Sequence, residues 1–391
     1  MLTRDTLQNL ATAQPGRLVA TAQPGRLVVS VYARTDPRDP ANTSSSPAWH
    51  IALRDGLRIL AERLEAGNDR DDRLAFRTLR KRIEQELVDM DPAERARSVA
   101  LFLDVDGGPS QCFGLQLPLR GDAVVGDNRP FVSPLVDIAD RGAVTGVILA
   151  SGDLVRLLQI EQAEATEPEN STFELTLGDW RRFGASAGGG PARGRQIVSQ
   201  KERYEARVDA QRQHLFETAV TQTAKRLHDL GWERIVLVCE TQVASRFREA
   251  LPIELSERVI AESDLDLVSE EPSAIADALE PLIADAWLRR TTALIELARE
   301  RAQADGPATL GVQDTLSALA EGRVSHLVLD PENDFSAASA MIPPTIGGPA
   351  DMIGERAVET AIATGAQVTA LASTASQALR DAGGIVALLR Y

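Results

Sequence analysis

Short apolar strands alternate with helices through the last third of the chain, and this alternation limits the folds that the chain can adopt. The strand patterns are VSHLVLD at 324–330, QVTALAS at 367–373 and GIVALLRY at 384–391. Between them lie the helical patterns GERAVETAIATG at 354–365 and ASQALRDAG at 375–383. Strands that are separated by helices form a parallel or mixed sheet with helical cover. We therefore predict an α/β domain at the end of the chain.

The first two thirds of the chain contain further strand and helix patterns. LVVSVYAR at 27–34 and SVALFLDV at 98–105 predict strands, and CFGLQLPL at 112–119 predicts a hairpin partner for the second of them. Leucines at intervals of three and four predict helices over 49–90. Residues 142–167 predict two or three antiparallel strands. These patterns again indicate sheets covered by helices.

The length of the chain indicates more than one domain. At 391 residues it is too long for a single ordinary core. The strand and helix patterns divide it into an N-terminal α/β domain at 1–138, a central domain at 139–268 and a C-terminal α/β domain at 269–391. We therefore predict an α/β (α+β) fold class with three consecutive domains.

Charge and composition exclude several classes of protein. The formal net charge of −15 argues against a protein that coats nucleic acid nonspecifically. Cys112 and Cys239 are far apart and the four histidines are scattered, so we expect no disulfide framework, no metal and no cofactor. The chain shows neither a signal-peptide run nor an apolar stretch near the roughly 20 residues of a membrane span. We therefore expect a soluble, cytoplasmic protein.

Residues 183–200, FGASAGGGPARGRQIVSQ, differ in composition from the rest of the chain. The segment contains five glycines, two arginines, two glutamines and no acidic residue. Between Arg181 and Arg207, seven basic and two acidic side chains give a local net charge of +5. No Lys-Ser or Lys-Thr follows the glycines, so a phosphate loop is excluded. By itself the composition is typical of a flexible surface loop, and a loop that contacts RNA phosphates is the alternative.

The order of features along the chain resembles a known family. The matching pieces are VVSVYAR (28–34), VVGDNRPFVSPL (124–135), the glycine-rich segment, GWERIVLVCE (231–240), TLSALAEGRVSHLVLD (315–330) and GGIVALLRY (383–391). In this order they resemble the bacterial relatives of the archaeal and eukaryotic class-1 peptide-chain release factors and of the rescue protein Pelota. The most similar branch is related to the peptidyl-tRNA hydrolase of eukaryotic ribosome quality control. The resemblance covers nearly the whole chain.

The resemblance implies a fold and a catalytic residue. It implies a middle domain of RNase H-like release-factor type and a C-terminal α/β sandwich of the Pelota or ribosomal-protein type. In that family a Gly-Gly-Gln loop of the middle domain assists water in cleaving the ester between peptide and tRNA. This chain has Gly188-Gly189-Gly190 without the glutamine. The resemblance therefore implies a displaced residue, Gln196, as the one that positions the water, with Gln200 as a weaker candidate.

The resemblance also implies that the loop over 184–200 and the start of the helix predicted over 200–231 bind tRNA. Glycine permits close approach of the backbone, and arginine and lysine pair with phosphates. The candidate binding residues are Gly188, Gly189, Gly190, Arg193, Gly194, Arg195, Gln200, Lys201 and Arg203.

Two functional hypotheses follow from the resemblance. The first is a codon-independent, release-factor-like protein that binds stalled ribosomes and hydrolyses peptidyl-tRNA. The second is a hibernation or protection factor that occupies the ribosomal A site without catalysis. Both imply ribosomal RNA as a partner, no membrane and a monomer, and they leave open whether a translational GTPase delivers the protein. A third, weaker alternative is an RNA-binding or nuclease-like factor that acts off the ribosome.

Overall fold

The computed structural model describes residues 4–12, 27–66, 70–91, 95–104, 110–151, 154–174, 220–336, 343 and 352–391. Contacts divide the chain into two compact units. One unit consists of Met1–Ala143 together with Trp287–Tyr391, and the other is Val144–Ala286. Each unit contains strands and helices, which confirms the mixed α/β class predicted from the sequence.

The N-terminal sheet has four antiparallel strands in the order β3-β2-β1-β4. Their bounds are Val28–Ala33 (β1), Ser98–Asp104 (β2), Gln111–Leu115 (β3) and Ala123–Asp127 (β4). β2 and β3 pair with Phe102 opposite Gln111, which confirms the predicted hairpin. β4 therefore ends beside the start of β1, with Asp127 opposite Val28.

Two long helices cover one face of this sheet. The N-terminal helices are Arg4–Ala11 (α1), Ala48–Ala66 (α2) and Arg70–Asp89 (α3). In α2 and α3 the buried side chains recur every three or four residues. All residues of β1 and β2 are buried, and every second one belongs to the core under these helices. The two periods place one face of each element in a common core, formed by Val29, Val31, Leu101, Leu103, Leu53, Leu57, Leu60, Phe76, Leu79, Ile83 and Leu87.

A short helix, Ser133–Arg141 (α4), follows the N-terminal sheet. The sequence patterns did not predict it. Pro134 lies in its first turn, where proline is tolerated because the first N–H groups of a helix have no partner within it. Leu135, Val136 and Ile138 are buried.

The central unit has a six-stranded sheet in the order β10-β9-β5-β6-β7, with β8 also paired to β6. The bounds are Thr145–Ala150 (β5), Leu154–Glu161 (β6), Glu164–Thr166 (β7), Thr172–Glu174 (β8), Ile235–Val238 (β9) and Val259–Ser263 (β10). The antiparallel pairing of β5, β6 and β7 confirms the prediction for 142–167. β5, β9 and β10 are parallel to one another.

Helices cover both faces of the central sheet. They are the helical residues 220–230, Thr241–Ala250 (α5), Ile253–Ser256 (α6) and the first half of Pro272–Gln303 (α7). Ile148 and Leu237 point to one face and pack with Leu227, Trp232 and Phe247. Alternate residues of the same strands, such as Val147 and Val236, pack on the other face with Ile275 and Leu279 of α7.

The C-terminal sheet has the order β11-β14-β12-β13. Its elements are Ala308–Leu310 (β11), Val312–Ala320 (α8), Val324–Leu329 (β12), Ile353–Ala363 (α9), Gln367–Ala370 (β13), Gln377–Asp381 (α10) and Ile385–Leu389 (β14). β12 and β13 are parallel, and β14 is antiparallel to β11 and β12. The sheet is therefore mixed, as the sequence predicted.

The N-terminal and C-terminal parts of the first unit meet at α4, which packs against β13. Arg120 donates to Asp137 of α4 and, through Nη2 at 2.7 Å, to the carbonyl oxygen of Ala370. Asp140 accepts a hydrogen bond from Trp287 Nε1 at 2.8 Å and one from Thr369 Oγ1 at 3.0 Å. Side chains from both ends of the chain thus fix α4.

The predicted boundaries place one sheet in each of the ranges 1–138, 139–268 and 269–391. We propose three domains on this basis. The first and the third together form most of the unit that consists of Met1–Ala143 and Trp287–Tyr391. In the part of the chain that the structure describes, no helix has the length and apolarity to cross a membrane.

Candidate functional site

The residues predicted to act on tRNA lie in the segment 175–219, outside the described residues. This segment contains the catalytic candidate Gln196 and the candidate binding residues Gly188, Gly189, Gly190, Arg193, Gly194, Arg195, Gln200, Lys201 and Arg203. Their roles therefore stay predictions. The structure does describe the two stems of the segment, which are β8 before it and the helical residues 220–230 after it.

The first stem leaves the sheet at the carboxyl ends of the parallel strands. β8 is antiparallel to β6, with Glu174 opposite Leu154, and β6 is antiparallel to β5, with Val155 opposite Ala150. β8 therefore runs in the same direction as β5, β9 and β10. Open α/β sheets bind their ligands beyond this edge. The segment 175–219 thus begins at the edge where such sheets carry functional loops.

The second stem returns from the same edge. The helical residues 220–230 bury Val220, Thr223 and Leu227, which lie on one face of the helix. The helix ends at Gly231, which has a φ of +65° and donates its N–H to the carbonyl oxygen of Leu227 at 3.1 Å. The eleven helical residues 220–230 span about 16 Å. This length is close to that of a strand in the central sheet. Since β9 starts four residues after Gly231 at the amino edge, Val220 lies near the carboxyl edge.

A tryptophan holds the end of this stem against the sheet. Trp232 is 1% exposed, and its Nε1 donates to Gln159 Oε1 of β6 at 3.1 Å. Gly146 of β5 lies directly opposite Gln159. A Cβ atom on Gly146 would lie 1.8 Å from Trp232 Cε3, so only glycine leaves room for the indole ring.

Two arginines fix the connection that leads into β8. Arg156 of β6 donates from Nε to Glu167 at 2.6 Å and from Nη1 to the carbonyl oxygens of Val268 and Glu270, at 3.0 and 2.6 Å. Arg226 of the second stem donates from Nη2 to the carbonyl oxygen of Glu169 at 2.8 Å. Hydrogen bonds from a charged donor are stronger than neutral ones. The two stems are therefore tied to each other and to the sheet.

The carboxyl edge itself supplies little chemistry. Cys239 follows β9, and burial together with the charges of Glu262 and Glu240 raises the pKa of its thiol to about 12. A thiol with such a pKa stays protonated at neutral pH and is a poor nucleophile. Within the described ranges, no three His, Cys, Asp or Glu side chains are grouped to hold a metal. The described part of the site can position the segment, which contains the predicted catalytic residue Gln196.

Sequence reasoning missed the residues that fix the stems. Arg156 could have been noticed as a lone cation inside an apolar alternating strand, because such a residue needs partners. No local sequence pattern indicated the contact between Gly146 and Trp232, because they are 86 positions apart and only the sheet brings them together.

Comparison with known proteins gives a family match that covers the central region. A model of bacterial archaeo-eukaryotic release factor family 10 matches residues 130–282. The chain is similar to this family. The match extends from the residues before α4 into α7, so it includes the central sheet and the whole of 175–219. The resemblance to release factors that the sequence predicted is confirmed over these residues.

Solved structures of translation factors also match the chain, at low identity. The archaeal translation termination factor aRF1 is 15% identical, over 100% of this chain and 99% of its own, with a TM-score of 0.26. Ribosome-bound archaeal Pelota is 11% identical, over 75% of this chain and 77% of its own, with a TM-score of 0.39. Dom34 of S. cerevisiae is 11% identical, over 75% and 79%, with a TM-score of 0.38. No curated protein matches the chain.

Replacing Gly146 with alanine is expected to lower the free energy of unfolding by about 2–3 kcal/mol, because the added methyl group overpacks a filled core. Urea unfolding followed by tryptophan fluorescence measures the change. Gly121→Ala is the matched control, since a Cβ at Gly121 meets no atom within 4 Å. Equal stability of the two variants would show that Trp232 does not fix this stem.

Proposed function

We propose that the chain is a ribosome-associated protein of release-factor type that hydrolyses peptidyl-tRNA on stalled ribosomes without reading a codon. The observation that carries the proposal is the family match over 130–282, which includes the glycine-rich, acid-free segment. Pelota, one of the proteins with a similar structure, is described as ribosome-bound. A cytoplasmic location and a monomeric state belong to the same proposal, which leaves open whether a translational GTPase delivers the protein.

The composition of 184–200 suits hydrolysis of an ester held by RNA. The five glycines let the backbone enter a narrow RNA-walled space. Arg193 and Arg195 pair with RNA phosphates along the path of the loop. The side-chain amide of Gln196 orients a water molecule against the ester carbonyl carbon without adding a charge. The water oxygen bonds to this carbon, the bond from the carbon to the ribose oxygen breaks, and the ribose oxygen takes up the proton that the water loses. No group of shifted pKa is needed on the protein.

The stems suit the same role. A loop that acts within a foreign active site must start from a rigid base, since small misplacements of reacting atoms reduce rates strongly. Here the base is the central sheet with its two stems, which Trp232, Arg156 and Arg226 fix to the sheet. The segment has 45 residues, from 175 to 219. It therefore has length enough to reach well beyond the sheet while both of its ends stay fixed.

The charge distribution favours one orientation on RNA. The stretch from Arg181 to Arg207 has a local net charge of +5, and the rest of the chain therefore has −20. A polyanion attracts the first and repels the second. The protein is therefore expected to approach ribosomal RNA with the glycine-rich segment leading.

A second candidate function is a non-catalytic factor that occupies and protects the ribosomal A site. One observation favours it. Gly188-Gly189-Gly190 is followed by Pro191 rather than by glutamine, so the usual tripeptide of the catalytic loop is absent from the chain. Arginines and glycines would then serve for docking alone.

Changing Gln196 to alanine is expected to slow peptide release by on the order of 100-fold, because loss of one positioned hydrogen-bonding group in an active site has that effect. The measurement is release of labelled peptide from peptidyl-tRNA on purified stalled ribosomes. Gln313→Ala, an exposed glutamine on α8, is the matched control and should release peptide at the normal rate.

Binding is measured beside release so that the candidate functions can be separated. If Q196A binds ribosomes normally but releases no peptide, Gln196 positions the water. If the unchanged protein binds ribosomes and releases nothing, the A-site protection role replaces hydrolysis. A failure to bind ribosomes at all contradicts both and leaves a factor that acts off the ribosome.

The double variant Arg193→Ala, Arg195→Ala should bind ribosomes more weakly and with less dependence on salt. Each phosphate contact contributes roughly 0.7–0.9 to the slope of log K against log salt, so the slope should fall by about 1.5. Arg54→Ala, Arg299→Ala removes two exposed arginines outside the segment and serves as the control. An unchanged slope in the first variant would mean that the loop arginines do not contact phosphates.

A further inference from the structure

Two stretches of the sequence concentrate basic side chains without acidic ones. Residues 180–201 contain five basic residues and no acidic residue, and so do residues 73–83, RLAFRTLRKRI. No other acid-free stretch of the sequence contains more than three basic residues. The first of the two belongs to the segment that is proposed to contact RNA. The second lies within α3, which the structure describes, and the proposed function does not use it.

Packing fixes which face of α3 is turned to solvent. Phe76, Leu79, Ile83 and Leu87 are at most 3% exposed and belong to the core between the helices and the N-terminal sheet. They follow one another at intervals of three and four residues, so they occupy one side of the helix. The opposite side of α3 is therefore its outer face.

Three cations form a row on this outer face. Arg70, Arg77 and Lys81 are exposed, and their spacings of seven and four residues correspond to two turns and one turn. Around the helix axis they lie within about 40° of one another, and along the axis they span about 16 Å. We call these three residues the basic row. Asp71 and Asp72 of the first turn lie about 100° or more away from Arg70 around the axis, so they are outside the row.

The basic row is weakly paired within the described part of the chain. There, neither Arg70 nor Lys81 makes a hydrogen bond or an ion pair. Arg77 Nη2 lies 3.8 Å from Glu65 Oε1, and the two side chains are 72% and 62% exposed. An ion pair of this length and exposure contributes little to stability. The three cations can therefore pair with an external anion without loss of structure.

The neighbouring arginines of α3 have a different role. Arg80 Nε lies 3.4 Å from Glu84 Oε1, and Arg82 Nε lies 2.6 Å from Glu86 Oε1, in each case four residues further along the helix. All four side chains are half-buried. Pairs at this spacing stabilise the helix itself. These two arginines therefore support α3 and are left out of the basic row.

We propose that the outer face of α3 is a second RNA-binding surface, on which Arg70, Arg77 and Lys81 pair with phosphate groups of ribosomal RNA. Lysine and arginine that contact phosphates give affinity without reading bases. Phe76 is the only aromatic residue of α3 and is buried, so this face offers no ring for stacking on a base. The proposal rests on ribosome binding, which both candidate functions share, and does not require hydrolysis.

The variant Arg70→Gln, Arg77→Gln, Lys81→Gln removes the three charges and keeps residues that form helices well. Each phosphate contact contributes roughly 0.7–0.9 to the slope of log K against log salt, so the slope for binding to purified ribosomes should fall by about 2. Arg70→Lys, Arg77→Lys, Lys81→Arg keeps the charges and should keep the slope. Neither variant should change the midpoint of urea unfolding, because the three positions are exposed.

A second control separates the place of the charges from their number. Arg246→Gln, Arg299→Gln, Arg301→Gln removes three charges from exposed positions on α5 and α7, and it should keep the slope. If the glutamine variant of the basic row and this control have equal slopes on ribosomes, the inference is overturned and the proposed function is unaffected.

The same variants are also compared on ribosomal RNA that has been freed of ribosomal proteins, where the slope should again fall by about 2 for the glutamine variant. A fall that occurs on ribosomes and is absent on this RNA assigns the outer face of α3 to a ribosomal protein and overturns the RNA contact. If the unchanged protein does not bind ribosomes, the proposed function fails. The comparison on free ribosomal RNA then decides the inference alone, and equal slopes there overturn it.

Discussion

The pairing of buried charged side chains around Arg356 constrains how the two ends of the chain meet in the first unit. Buried charges are tolerated only when each has a partner, so the connector from Asp127 to Ser133 and the helix α9 must meet in one arrangement. The pairing fixes α4, since Glu355 caps its first turn. α4 in turn packs against β13 of the C-terminal sheet. The two ends of the chain are thereby one unit, although the whole central unit lies between them in the sequence.

The central unit holds the segment 175–219 by its two ends. Both stems reach the carboxyl edge of the parallel strands, and three contacts fix the stems to the sheet. Trp232 fills the space over Gly146, Arg156 binds the connection between β7 and β8, and Arg226 ties the second stem to that connection. None of these residues has the chemistry of an ester hydrolase. The scaffold therefore supplies position, and the proposed reactivity lies in the segment that it holds.

Much of the fold could be predicted from the sequence because local patterns determine it. Short apolar runs identified β1 and β2, leucine spacing identified α2, and the alternation of strands and helices after residue 310 identified a parallel or mixed sheet. The helix α4 was missed because it is short and has proline in its first turn. Glu355 and Arg356 look like the solvated face of a helix in GERAVETAIATG, since nothing local records a partner at Asp127. The composition of the glycine-rich segment could be recognised, whereas its stems depend on contacts such as Gly146 with Trp232 that only folding creates.

The central claim is that the fold of the central unit and the proposed activity reside in separate parts of the chain. The direct measurement replaces residues 184–200 with a short glycine–serine linker and follows both urea unfolding and peptide release from stalled ribosomes. The account predicts an unfolding free energy within about 0.5 kcal/mol of the unchanged protein, as for changes outside a packed core, with peptide release lost. Release that persists without these residues, or a central unit that no longer folds, would contradict it.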